Sequence, residues 1–284
     1  MKRLIVNADD FGMAESVNDG IIKGHKEGII TSTSFMAGAG AAEHAAKLAK
    51  DNPSLGIGIH LCLTLIKPVS SPANLPALAP DGLLPAGPFA LMTRLLAGRI
   101  KKREIELELR AQIERMLTLG ITPDHIDGHQ HVHMMPGVFD IALKLAKEYN
   151  IPAMRRPVGY RSTGGEEAKL RASLRMLEKL ILEGISRRNR RAIEEAAIKT
   201  PDYFFGLAET GTLSRDSLIN IIKYLPDGTS ELMCHPGLPS ETLAENDWGK
   251  GWGTELAAVT DKEAKNLIIE NGIKLASFNT ENLD

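Results

Sequence analysis

The sequence predicts an α/β fold in a single domain over residues 1–284, either a (β/α) barrel or a barrel-like relative. Three observations lead there. About eight short apolar segments read as strands, most of them separated by segments of helical periodicity. The chain is long enough for one large α/β core, and no linker, internal repeat or low-complexity tract divides it. An open doubly wound sheet is the alternative, but no glycine-rich phosphate loop follows the first strand.

Leu4-Ile5-Val6 opens the first strand. Val17 and Ile21, with the small Gly20 and Gly24, share one face of the helix that follows, and Gly28 stops it. Thr31 to Ala37 reads as the second strand, Ala41 to Lys50 as a helix ended by Asn52-Pro53, and Gly56 to Leu63 as the third strand. Between about 64 and 90 the rhythm breaks at Pro68, Pro72, Pro76, Pro80, Pro85 and Pro88, an excursion suited to a lid or a mobile connection. Glu104 to Leu119 is the clearest helix, with Ile105, Leu109, Ile113, Met116 and Leu117 as its apolar stripe. His125 to about His129 is a strand, a helix from Pro136 to Tyr149 follows, and Ile151 to Arg155 is a short strand.

From about 164 to 199 the chain is helix-forming and charged, and Arg187, Arg188, Arg190 and Arg191 read as a solvated face. Tyr203 to Phe205, Ser230 to Cys234 and Ile273 to Phe278 complete the strands. Ser214 caps a helix reaching Tyr224; Thr260 and Glu263 have capping-box spacing at the last helix, which ends before Gly272.

With 25% charged residues and a net charge of −2, the composition argues against nucleic acid or an anionic membrane as partner. No apolar run approaches the roughly 20 residues of a membrane helix, and no signal-peptide pattern precedes the first strand. Two cysteines, Cys62 and Cys234, rule out a disulfide framework. A cytoplasmic protein is expected, with a homo-oligomer left open.

Polar residues break into the predicted strand ends at four places: Asp9-Asp10, His60, Asp127-Gly128-His129 and His235. Active sites of α/β barrels are built from several strand ends at that face. Adjacent buried carboxylates call for a cation, and a metal ion can take one as ligand while the other acts as a base. Helix capping is the ordinary alternative for such aspartates. Asp127, His129, His131 and His133 alternate at period two and would share one side of an extended chain. They cannot all join one ion with Asp10 and His60, so at least one is expected behind the ligands or at the substrate. Cys62 and Cys234 read as small buried apolar residues rather than zinc ligands. Trp248 and Trp252, in the loop after His235, are expected to border the substrate site.

Four blocks, Ile5 to Gly12, Gly58 to Leu61, His125 to His133 and Met233 to Gly237, resemble the signatures of the YdjC-like carbohydrate deacetylases in their order. The resemblance implies a distorted (β/α) barrel and hydrolytic removal of acetyl from an N-acetylated amino sugar, of the N-acetylglucosamine oligosaccharide or hopanoid-glycoside kind. It implies that Asp10, His60 and His129 bind one divalent metal, that Asp9 is the general base and that His235 is the general acid. It leaves the sugar-binding residues unassigned. Magnesium or zinc is the first expectation, with manganese or cobalt next, since such a donor set discriminates little among them. A non-heme iron oxygenase also uses two histidines and a carboxylate, but Asp9 and His235 beside the ligands suit hydrolysis, and anaerobic activity separates the two. A sugar-binding protein without catalysis would not need Asp9 and His235.

Since the base acts ionised and the acid protonated, activity should rise on an acidic limb and fall on an alkaline one. In His235→Ala the alkaline limb should flatten, with a rate loss of about 10² to 10⁴ and unchanged metal content; loss of the metal instead would reassign His235.

Overall fold

The strand that opens with Leu4-Ile5-Val6 extends well past that triad. In the computed structural model, which describes residues 1–157, 176–240 and 251–278, β1 runs from Lys2 to Phe11 and is buried from Leu4 to its end. Such continuous burial is what a parallel strand covered on both faces shows. The other strands are β2 (Ser32–Phe35), β3 (Gly56–Leu61), β4 (His125–Gly128), β5 (Ala153–Met154), β6 (Tyr203–Phe205), β7 (Gly228–Cys234) and β8 (Lys274–Ala276).

They form one parallel sheet of order β5-β4-β3-β2-β1-β7-β6, with β8 beside β1. One edge of β1 takes β7 along Lys2 to Ala8. Its other edge is shared: Arg3 to Ile5 pair with β8, and Asn7, Ala8 and Phe11 pair with β2. The sheet curls into a half-barrel, and the outer strand β5 bridges to the chain just before β6, where Lys199 N donates to Pro152 O (2.9 Å) and Met154 N to Lys199 O (2.9 Å). The fold is thus a distorted α/β barrel.

The described helices are α1 (Glu15–Glu27), α2 (Ala42–Asp51), α3 (Pro88–Leu96), α4 (Lys102–Thr118), α5 (Phe139–Glu148), α6 (Met176–Glu195), α7 (Arg215–Lys223), α8 (Trp252–Val259) and α9 (Lys262–Glu270). Leu4, Val6, Ile59, Ile126 and Leu232 from strands pack with Ile21, Leu109, Ile113, Leu145 and Ile222 from helices in one core. No described helix is long and apolar enough to cross a membrane. The basic run of α6 is exposed, and Arg190 and Arg191 pair with Glu194 and Glu195 one turn on. Residues 164–175 of the expected charged helical segment lie outside the described residues.

Two local expectations change. The last helical region is two helices, and Asp261 rather than Thr260 caps the second, accepting from Ala264 N at 3.0 Å. Thr260 instead closes α8, its hydroxyl donating to Leu256 O. On α4, Leu117 at the end of the stripe is exposed, while Glu104, Glu108 and Gln112, spaced one turn apart, are buried.

Those three residues hold the proline-rich excursion and the end of β3. Glu104 Oε2 accepts from Ala77 N and Leu78 N (both 2.8 Å), and Glu108 accepts from Val69 N and Ser70 N (both 2.9 Å). Gln112 accepts from Cys62 N (2.9 Å) and donates to Cys62 O (2.6 Å), much as a neighbouring strand would. The excursion is therefore anchored through backbone amides that proline leaves without strand partners. Glu108→Ala should cost about 1–3 kcal/mol in denaturant unfolding, because two half-buried amides and the buried Gln112 lose an acceptor. Limited proteolysis within residues 64–90 should quicken; an unchanged midpoint and cleavage rate would mean the anchor is idle.

Candidate active site

Neighbouring residues of a strand point to opposite faces, yet Asp9 and Asp10 both approach His60. His60 Nε2 stands 3.5 Å from Asp10 Oδ1 and 4.0 Å from Asp9 Oδ2. The cause is an irregularity in the β1–β2 register between Ala8 and Phe11, with Asp10 at φ 70°. A bulge re-aims side chains in this way, and aspartate tolerates the left-handed conformation better than most residues. Asn18, buried on α1, fixes the turn beyond: its Oδ1 accepts from Gly12 N (2.6 Å) and its Nδ2 donates to Ala41 O (3.1 Å).

Asp10, His60 and His129, all buried, bring their donor atoms within 4.8 Å of one another, a group that could hold a metal ion. His129 Nδ1 stands 3.0 Å from Asp10 Oδ1. His60 is aimed from behind, its Nδ1 donating to Asp127 Oδ1 at 2.7 Å, which leaves Nε2 toward Asp10. Asp9, His60 and Asp127 make an overlapping group of the same kind, but Arg155 already engages both of those aspartates.

Arg155 is fully buried and binds three carboxylates. It donates to both oxygens of Asp9 (2.8 and 2.6 Å), Nε donates to Glu231 Oε1 (2.7 Å), and Nη1 lies 2.9 Å from Asp127 Oδ2. The Phe204 ring lies against the guanidinium, its centroid 5.5 Å from Cζ. Asn7 Nδ2 adds a bond to Asp9 (2.9 Å), and Ser34 Oγ one to Asp127 (2.6 Å). Burial alone would raise the Asp9 carboxyl, but Arg155 and His60 outweigh it and hold it below the usual range. Asp127 is held well below, against the same burial, by Arg155 and His60.

One guanidinium does not balance Asp9, Asp10, Asp127 and Glu231. Burial pushes Glu231 up to about 7 despite Arg155. For His60 burial acts downward, yet Asp127 and Asp9 carry it up to about 10. A buried cluster that draws a proton onto imidazole so strongly is short of positive charge, and two imidazoles with a carboxylate suit a divalent cation.

The period-two expectation for the histidines fails past Gly128. The chain leaves β4 there, and Gln130 and His131 take left-handed φ of 54° and 56° in the short 3₁₀ segment His129–Met134. Only His129 reaches Asp10. His131 lies edge-on to Phe204 (5.6 Å between centroids), and His133 Nε2 donates to Arg155 O at 3.1 Å. Burial lowers both imidazoles, with Arg155 adding to the effect on each, His131 to about 3 and His133 to about 4.

His235 follows β7 directly and is buried, its backbone N donating to Glu255 Oε2 (2.5 Å) and its Nδ1 3.8 Å from the same oxygen. Trp252, at the start of α8, is buried with its ring 6.4 Å from that of His235; Trp248 lies outside the described residues. Both cysteines are buried, neither enters a metal-suited group among the described residues, and burial pushes Cys62 up to about 12 and Cys234 well above its ordinary value.

Sequence reasoning missed Arg155, Glu231, Glu255 and Asn18. Arg155 carried a readable signal: a cationic residue ending a short apolar strand, on a face crowded with carboxylates, must be paired to be buried. Glu231 and Glu255 carried none, since a glutamate in a strand or helix is usually solvated.

Residues 3–270 match the family model described as YdjC-like protein. A carbohydrate deacetylase of Geobacillus stearothermophilus is 36% identical over 276 residues, covering 96% of each chain. One of Brevibacillus brevis is 37% identical over 278 residues, covering 97% of this chain and 98% of the relative. Among solved structures, a candidate cellobiose-phosphate cleavage protein of Enterococcus faecalis superposes with a TM-score of 0.79 at 27% identity, covering 99% of this chain and 98% of that one.

Two outcomes follow from the charge balance. An ion held there would compete with the proton for His60, so metal uptake by stripped protein at pH 7 should release a proton, and affinity should rise with pH until about 10; pH-independent affinity by calorimetry would contradict this. Arg155→Met should destabilise by about 3–5 kcal/mol, because it leaves buried carboxylates unpaired; a denaturant titration with an unshifted midpoint would disprove the pairing.

Proposed function

The chain belongs to the YdjC-like protein family, and on that premise we propose that it is a metal-dependent hydrolase removing acetyl from an N-acetylated amino sugar. The observation that carries the reading is a buried Asp10/His60/His129 group beside an Asp9 carboxylate held ionised by Arg155. The deacetylases to which the chain is similar over nearly its whole length point to the same substrate class.

Asp10, His60 and His129 would hold one divalent ion, magnesium or zinc before manganese or cobalt. Bound there, it would supply Lewis-acid polarisation of the acetyl carbonyl and acidify water. Asp127 orients His60 by accepting from its Nδ1. Asp9 takes the proton of the attacking water at a carboxylate oxygen, and Arg155, gripping both oxygens, fixes the plane of that carboxylate. A strongly held carboxylate is a weak base at rest, so the water it serves must itself be acidified, which is the ion's contribution. His235 donates a proton to the departing sugar nitrogen, since an amide breaks poorly if its amine leaves as an anion. His131 and His133 do not suit that role, because burial keeps both neutral at pH 7.

Acetate release from N-acetylglucosamine-bearing substrates, screened across metals, tests the reading; no release from any pairing would refute it. Asp9→Asn should keep the metal and abolish turnover, whereas His60→Ala or His129→Ala should lower metal content. Metal analysis of the purified variants separates the two classes.

A further inference from the structure

Apolar side chains stand out from one short stretch of this surface. Of the nine large apolar residues exposed among the described residues, four, Leu65, Leu83, Phe89 and Leu96, belong to the excursion after β3 and to α3. Phe89 is 81% and Leu96 76% exposed. Seven positions apart on one helix, they lie on the same face of α3. That face points outward, because Leu91, on the opposite side, is buried and Leu95 packs against the core. A helix that is apolar toward solvent as well as toward the core has an interface left to fill.

Positive charge collects at the end of the same helix. An anionic partner is unexpected from the whole-chain charge of −2, but that figure averages this segment away. From Gly82 to Arg103 the chain has five basic residues and no acidic one. Arg94 is half-buried and donates to Ala77 O. The other four follow α3 directly. Gly98, at φ 65°, turns the chain so that Arg99 N donates to Arg94 O (2.9 Å); Lys101 then stands at the N-cap of α4, with Lys102 and Arg103 in its first turn. All four are exposed, and none has an acidic partner among the described residues. The nearby acids of α4 are engaged elsewhere, Glu104 and Glu108 by amides of the excursion and Glu106 by Arg110 and Lys144. By contrast, Arg110, Arg115, Arg190, Arg191 and Arg215 each meet a carboxylate. Cations at a helix N-terminus oppose its dipole, so the stability of α4 does not account for them.

We propose that Phe89 and Leu96, with Arg99, Lys101, Lys102 and Arg103 that follow, form a docking surface for an anionic lipid membrane. Lipid phosphates attract the cations, and the interfacial layer takes up the protruding apolar side chains. Two weak signals acting together give reversible attachment without a spanning helix. A second copy is a poorer occupant, because a twofold contact centred on the patch would set its cations against their own copies. The patch is joined to the candidate site by its own connection: at the root of the excursion, Thr64 Oγ1 donates to Gln130 Oε1 (2.9 Å), next to His129.

The test uses the full chain and vesicles of phosphatidylcholine, with or without one-third phosphatidylglycerol. Cosedimentation at about 0.1 M salt should show binding to the anionic vesicles and little to the neutral ones, with loss at about 1 M, where screening shortens to about 3 Å. Phe89→Ser with Leu96→Ser should weaken the partition by about 10- to 100-fold. Replacing Arg99, Lys101, Lys102 and Arg103 by Gln should weaken it by about 5-fold per charge removed. Both sets of side chains are exposed, so thermal melting should hold in each variant. No binding to the anionic vesicles, or equal partition of the native chain and either variant, would overturn the proposal. So would a dimer in analytical ultracentrifugation that dissociates on Phe89→Ser with Leu96→Ser, which would assign the patch to a second copy. Vesicle binding needs no acetate release, so its outcome is independent of the deacetylase reading.

Discussion

Arg155 is the charge on which the interior of this barrel depends. Three carboxylates, from β1, β4 and β7, converge on one guanidinium that water does not reach. None of those strands could keep its acid buried alone. The same contacts join one edge of the sheet to strands toward the other, since Arg155 follows the edge strand β5 while Asp9 and Glu231 lie on β1 and β7, four and five strands along. Electrostatics and barrel curvature are therefore one constraint: a sheet that stayed flat would leave the arginine and the aspartate apart.

Asp9 and Asp10, though adjacent, have separate surroundings. Asp10 faces the imidazoles of His60 and His129; Asp9 faces Arg155 and Asn7. The bulge at the end of β1 sets this division, because it lets consecutive residues reach a common space from different angles. Asp10 adopts a left-handed backbone as a result, a strain typical of functional sites.

The fold was legible where periodicity was clean. β1, α1, α4, β7 and the alternation between strand and helix followed from apolar spacing, and the positions of Asp9, Asp10, His60, His129 and His235 followed from polar breaks at strand ends. What stayed hidden depended on partners far away in the chain. The buried row Glu104, Glu108 and Gln112 looks like any solvated helix face until the excursion supplies amides to bind. The turn at Gln130 and His131 has no glycine to announce its left-handed geometry, so an extended continuation was the natural reading. Arg155 has meaning only once three remote carboxylates surround it.

The shared edge of β1 bears on how the molecule comes to be assembled. Asn7 meets Ser32 across a short loop, whereas Arg3 must wait for Lys274 and Leu4 for Ser230. Closing the longer loop adds only roughly 2 kcal/mol of chain entropy, a modest equilibrium cost. Timing is affected far more, since contacts so distant in sequence slow the search for the native state. As synthesis proceeds, β1 emerges long before β7 and β8 exist to flank it, exposing an apolar strand with open edges. Asp9 rides on that strand, so its carboxylate emerges well before Arg155, which follows β5, exists to pair with it.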